Sequence, residues 1–398
     1  MLAMNRTQRL FGLDRNVFLL GVVSLLTDVS SEMIYPLIPV FLTTVLGAGM
    51  EFVGLVEGIA ESTASLLKII SGWISDRLGM RKRLALGGYS LSAVSRPLMA
   101  AATAGWHVLA VRVADRVGKG IRTSPRDALI AALSGSEERG RSFGFHRGMD
   151  HAGAIIGPLI AFGMLSSLGW GYRTIFWWAF FPGLLSVAVI LWGVSERAPT
   201  AGNGSDMSAP LRLSLGPFDR RFRIFLLLVG LFTLGNSSDA FLILRAQQGG
   251  VPVVHLPLLW ITLHITKMTS SFPAGILSDR IGRRGLILSG WFLYALVYLG
   301  FATATSLWQI WGLFLVYGIY FGLTEGVEKA MIADLVPESH RGTAYGLYHG
   351  TIGLTALPAS LIMGFLWETV GIRAAFGFGA AMAVFAAGGF WLLLRRPA

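Results

Sequence analysis

Ten acidic and ten basic side chains interrupt the long apolar runs of this 398-residue sequence. The acids are Asp28, Glu32, Glu57, Glu61, Asp115, Asp127, Asp150, Asp239, Glu325 and Glu328. The densest basic set lies between Arg112 and Arg126. Within it Asp115, Lys119, Arg122 and Arg126 recur at i, i+4, i+7 and i+11, one face of a helix, and Arg112 and Arg116 extend the stripe. A charge at the centre of a membrane helix costs about 2.5–3.5 kcal/mol on insertion scales. Groups of this kind must therefore face a wet cavity or one another. Two chemistries fit. The basic stripe can meet an anionic or polar solute and pair with Asp28 or Glu32 when empty. Alternatively, the charges form a salt-bridge lattice that holds neighbouring helices together. An acid that carries a proton must also sit where burial disfavours its charge, while a nearby cation acts in the opposite sense. Asp28 is the first candidate and Glu61 the second, with Glu32 and Glu57 behind them.

The elements that position these groups are read from the apolar runs. Apolar types make up 54% of the chain and charged types only 14%, with mean hydropathy +0.62. A soluble domain carries about 25% charged residues, so a soluble enzyme is excluded. No nucleophile elbow, phosphate loop or zinc motif appears, and there is no Cys. A run of about 20 apolar residues spans a bilayer. Twelve such segments are expected, near 17–44, 51–75, 83–103, 106–130, 143–168, 172–194, 223–246, 254–278, 285–304, 307–335, 343–368 and 373–394. At a rise of about 1.5 Å per residue, Asp28, Glu61, Asp115 and Arg116 all lie about 14–16 Å from the nearer membrane face. The net charge of +11 sits mostly in the loops. With the N-terminus inside, twenty loop Lys and Arg fall on the inner side and three, Arg173, Arg245 and Arg373, on the outer. That asymmetry places both termini in the cytoplasm of a cell membrane, with the bacterial inner membrane favoured. It also accounts for the basic balance without nucleic acid.

The sequence repeats itself. Gly72, Asp76, Arg77, Gly79 and Arg81 recur 203 residues later as Gly275, Asp279, Arg280, Gly282 and Arg284. Residues 128–131, Arg139 and Gly144 recur 202 residues later as 330–333, Arg341 and Gly346. On these residues the chain resembles the major facilitator superfamily, whose signature loop G-x-x-x-D-R-x-G-x-R-[KR] matches Gly72 to Lys82. Arg116, Lys119, Gly120 and Arg122 resemble the family's proton-coupling motif on helix 4, with Lys and Arg in place of Gln and Gly. Gly144, Gly153, Gly157 and Pro158 resemble the antiporter motif of helix 5, whose closing glycines are here Ala161 and Phe162.

The resemblance implies an all-α integral membrane fold of twelve helices in two six-helix halves. These would be an N-terminal bundle over 1–194, a cytoplasmic linker over 195–222 and a C-terminal bundle over 223–398. It implies secondary active transport of a small solute, with proton-coupled export as the leading reading. Uptake of an organic anion with protons is the alternative, and a metal exporter or lipid flippase stands further back. Proton coupling is expected at Asp28, Arg116, Glu61 and Glu32. Substrate contacts are expected at Arg112, Asp115, Lys119, Arg122, Asp239, His264 and Glu325. Gating is expected at Gly72, Asp76, Arg77, Gly79, Asp279, Arg280, Gly153, Gly157 and Pro158, with Asp76 facing the positive end of helix 11. For His264, at the repeat position of Glu61, titration near neutral pH and a packing or hydrogen-bonding role are both open. No cofactor or metal is expected. The partners are a solute of anionic character, protons and the bilayer, and the chain is expected to be a monomer.

Overall fold

The structure is a computed structural model. It describes residues 9–10, 13–78, 80–133, 139–195, 215–216, 218–336 and 341–393. A short antiparallel hairpin, β1 (Arg9–Leu10) and β2 (Leu13–Asp14), precedes the helices. Its last residue caps the first helix, with the Asp14 carboxylate accepting from the Asn16 backbone N–H at 2.8 Å.

All twelve expected spans are helical. They are α1 (Arg15–Val45), α2 (Met50–Leu78), α3 (Arg81–Ala100), α4 (Gly105–Leu133), α5 (Arg139–Ser166), α6 (Tyr172–Gly193), α7 (Arg220–Gln248), α8 (Leu256–Ile281), α9 (Arg283–Thr303), α10 (Leu307–Leu335), α11 (Arg341–Thr369) and α12 (Ile372–Leu393). Among the described residues, eight are long and apolar enough to cross a membrane by length and composition. The four that are not, α2, α3, α4 and α8, owe this to the polar and charged residues inside them.

Two spans are broken. In α1 the regular helix ends at Glu32 and resumes through a single 3₁₀ turn at Tyr35–Leu37. In α7 it ends at Gly235 and resumes at Ala240. Residues 33 and 236 are 203 apart, the same displacement as the signature repeat, so the breaks occupy equivalent positions. Broken helices are tolerated in bilayers only where the freed backbone groups are re-satisfied. Here Tyr294 O–H donates to Gly235 O at 2.9 Å. The turn between α8 and α9 is made by Gly282 at φ +91°, a conformation that L side chains rarely adopt. Gly79, its repeat counterpart, lies outside the described residues.

The chain forms two compact units. The first comprises Met1–Ile34, Leu67–Ala102 and Ala114–Pro210. The second comprises Tyr35–Leu66, Thr103–Val113 and Leu211–Ala398. In the first, α1 packs on α5 and α6, and α3 on α6. In the second, α7 packs on α11 and α12, and α9 on α12, which repeats the same pairings; α8 packs on α10. Small residues allow the closest approaches. A Cβ added to Gly153 of α5 would stand 2.6 Å from Leu25 O, and one on Gly157 would stand 2.5 Å from Val29 O. In the second unit a Cβ on Gly364 of α11 would stand 2.5 Å from Met50 O.

Candidate functional site

The first unit gathers charge around Asp28. The α1–α5 contact through Gly153 brings the Asp28 Cβ to 2.8 Å from where a Gly153 side chain would begin. One turn before Gly153, Asp150 accepts from Ser24 Oγ of α1. His146 Nδ1 and Arg147 Nη1 lie 3.6 and 3.8 Å from the other Asp150 oxygen. Asp28 interacts electrostatically with Asp150 and Glu32 and with the cations Lys119 and Arg122. Like charges on α1 and α5 and two cations on α4 therefore act on it in opposite senses. A proton gained or lost at such a carboxyl changes its attraction to both cations at once.

The α4 stripe divides among neighbours. Arg122, only 6% exposed, donates to Ser92 Oγ at 2.6 Å and lies over the Tyr89 ring, 4.7 Å from its centroid. Arg126 is bound to its own neighbour Asp127 at 2.8 Å. Asp115 lies 3.9 Å from Arg96 of α3, which is 2% exposed and also donates to Ser92 O at 2.8 Å. Arg116 is buried. Arg126 thus meets an acid of its own helix and Arg122 a hydroxyl and a ring; of Asp115, Arg122 and Arg126, Asp115 alone is paired by charge with another helix. Close passage of α3 past α4 makes this possible, since Gly88 and Gly118 leave no room for a Cβ on either helix.

The second unit holds a separate polar cluster. Arg112 Nη2 donates to both Glu57 oxygens at 2.7 Å, Nε adds a third bond at 3.0 Å, and both side chains are buried. The Arg112 guanidinium also lies over the Tyr35 ring, 5.4 Å from its centroid. Ser238, in the α7 break, donates to Glu57 Oε2 at 3.3 Å. Next to it Asp239 accepts from Tyr317 O–H of α10 at 2.8 Å. Tyr317 belongs to an aromatic group with Tyr294, Tyr298, Tyr320 and Phe321. The Lys267 ammonium of α8 sits over the Phe321 ring, 3.4 Å from its centroid.

The remaining expected residues are placed as follows. Glu61 is exposed, and Glu32 is half-buried at the end of the first, unbroken part of α1. His264 meets Trp260 edge-on, with ring centroids 5.2 Å apart. Glu325 forms an i,i+4 pair with Lys329 at 3.7 Å. Gly72 faces Ser124 of α4, where a Cβ would lie 3.3 Å from the Ser124 Cβ. Pro158 sits inside α5, directly after Gly157. Arg280 is exposed in the last turn of α8. Gly79 and the side chains of Asp76, Arg77 and Asp279 lie outside the described residues. Among the described residues, no three His, Asp or Glu side chains are grouped as a metal site.

Several participants were not among the expected site residues. Arg96, Asp150, Lys267 and Glu328 are legible in the sequence only as further charges in apolar runs. Glu328 accepts from Trp291 Nε1 at 2.9 Å and from Tyr348 O–H at 2.7 Å. Ser238 and Tyr317 carry no charge. The polar run from Asn236 to Asp239 inside an apolar span was the one available signal for them.

Comparison with known proteins agrees along the whole chain. The sequence model described as Major Facilitator Superfamily matches residues 20–266 and 258–398. An uncharacterised MFS-type transporter of Methanocaldococcus jannaschii is 36% identical over 378 residues, covering 94% of this chain and 93% of the relative. The multidrug resistance protein MdtH of Cronobacter sakazakii is 24% identical over 335 residues, covering 83% and 81%. Among solved structures, the nucleoside transporter NupG superposes with a TM-score of 0.79 at 15% identity, covering 94% of this chain and 98% of that one.

Proposed function

The chain belongs to the Major Facilitator Superfamily, and on that premise we propose that it exports a small organic solute in exchange for protons. Membership makes it a multi-pass membrane transporter. Direction, coupling ion and the roles of individual residues are the proposal.

The observation that carries proton coupling is the setting of Asp28. It is an acid one turn before the end of the unbroken part of α1, interacting electrostatically with Lys119 and Arg122 of α4 and with Asp150 of α5. Ionised, it attracts the two cations. Protonated, it no longer does, and the α4 stripe is freer to accept another partner. Because α5 reaches Asp28 through Gly153, the same event bears on the α1–α5 contact. Alternating access then consists of exchanging ion-pair partners, with the proton deciding which set is made. Export is supported by the glycines of α5, which resemble an antiporter motif, and by a relative named as a multidrug resistance protein. The asymmetry of Lys and Arg supports cytoplasmic termini.

The reading is tested with purified protein in liposomes. A solute is first selected as one that stabilises the protein against heat, and its flux is then followed with and without a pH gradient. The gradient is expected to drive accumulation, and collapsing it to stop accumulation. Flux indifferent to the gradient would overturn the coupling.

A further inference from the structure

Of the ionisable groups in the second unit, Lys267 has the most unusual neighbour. Its ammonium rests on the face of Phe321, 3.4 Å from the ring centroid, where the negative face of the ring attracts a cation. Phe321 is met by Tyr317 at a centroid distance of 5.1 Å and by Tyr320 at 4.9 Å, so it presents one face of a fixed aromatic wall on α10. Tyr317 fixes Asp239 with a 2.8 Å hydrogen bond. Asp239 interacts electrostatically with Lys267 and with the acids Glu61 and Glu57. Glu57 is already bound by Arg112 through three hydrogen bonds. Asp239 also stands as the N-cap residue of Ala240–Gln248, with no side-chain hydrogen bond into that half-helix. Phe321, Asp239 and Lys267 are all half-buried, whereas the tyrosines behind them are closed off.

An aromatic face joined with a carboxylate is the chemistry that recognises an organic cation, and here Lys267 links the two: its ammonium is seated on Phe321 and interacts electrostatically with Asp239, while Tyr317 touches both. We propose that Asp239 and Phe321 form the binding site for a lipophilic organic cation, and that Lys267 is a tethered stand-in for its charged group. The solute's ammonium or quaternary centre displaces the Lys267 ammonium from the Phe321 face and pairs with Asp239, while its apolar part lies along the aromatic wall. When the solute leaves, Lys267 returns, so the site is never left with an uncompensated acid. This assignment rests on the transporter reading and specifies its substrate class. It runs against the anionic solute suggested by the α4 stripe, four of whose charges, Arg112, Asp115, Arg122 and Arg126, are engaged within the protein.

The test is equilibrium binding of tritiated tetraphenylphosphonium to the purified full-length protein in detergent, at fixed pH and without any gradient. A tethered competitor lowers apparent affinity by the fraction of time it occupies the site, so Lys267→Met is expected to bind about tenfold more tightly than wild type. Lys267→Arg, which keeps a cation, is expected to stay near wild type. Phe321→Leu is expected to weaken binding, and Asp239→Asn is expected to remove the gain of Lys267→Met when the two are combined. Thermal melts of each variant separate loss of fold from loss of binding. Unchanged or weaker binding by a folded Lys267→Met overturns the proposal. So does an absence of tetraphenylphosphonium binding by every folded variant, or binding of toluenesulfonate that disappears with Lys267→Met, which would make the lysine an anion anchor. Because no pH gradient is involved, failure here leaves proton-driven export standing, and failure of export leaves this binding result standing.

Discussion

The pairing of Glu57 with Arg112 sets what either residue can do. Three hydrogen bonds of 2.7–3.0 Å between two buried side chains leave Arg112 engaged with an internal acid. Removing one member of such a pair strands a buried charge and costs about 3–5 kcal/mol, whereas replacing both with apolar residues is often neutral. Glu57→Ala is therefore expected to lower the thermal midpoint in detergent markedly, and Glu57→Leu combined with Arg112→Met to recover most of the loss. Equal stability of wild type and Glu57→Ala would mean that the pair does not hold the protein together. Arg116 belongs to a different case. Arg116→Gln is expected to abolish transport while the protein still folds and elutes as wild type does, and normal transport would remove this residue from the coupling machinery.

Among the helices, α5 against α1 is the most demanding fit. The Cβ positions of Gly153 and Gly157 fall 2.6 and 2.5 Å from α1 carbonyl oxygens, so backbone rather than a movable side chain blocks them. Overpacking of this kind costs about 1–3 kcal/mol. Gly157→Val is expected to lower the melting temperature and to slow transport more than Gly163→Val does, since Gly163 has open space around its Cβ. Equal effects of the two would show that the α1–α5 contact is not special. The helices themselves were legible because a bilayer demands long apolar runs and the loop charges mark their ends. The break in α1 carries a local mark, Pro36 within its 3₁₀ turn, whereas the break in α7 was not legible, because a run such as Asn236 to Asp239 is short enough to be bridged by the apolar residues on either side. Helical periodicity correctly put Asp115, Lys119, Arg122 and Arg126 on one face. It could not say that Arg96 and Ser92 of α3 would meet that face, because partners across helices are chosen by packing, and packing has no local signature.

At the scale of the whole molecule, the membrane supplies a reference direction. The natural sequence contains no Cys, so a single introduced thiol has no background. Ser306→Cys, in the turn before α10, is expected to react with an impermeant maleimide on intact cells. Leu215→Cys, in the segment before α7, is expected to react only after the membrane is opened. The reverse pattern would invert the topology. The claim that joins residue, element and molecule is that a proton on Asp28 drives solute outward. Its most direct test is flux in proteoliposomes under an imposed pH gradient, comparing wild type with Asp28→Asn. The account predicts gradient-driven accumulation by the wild type, and in Asp28→Asn the loss of that accumulation with downhill exchange retained. Undiminished gradient-driven accumulation by Asp28→Asn would contradict it.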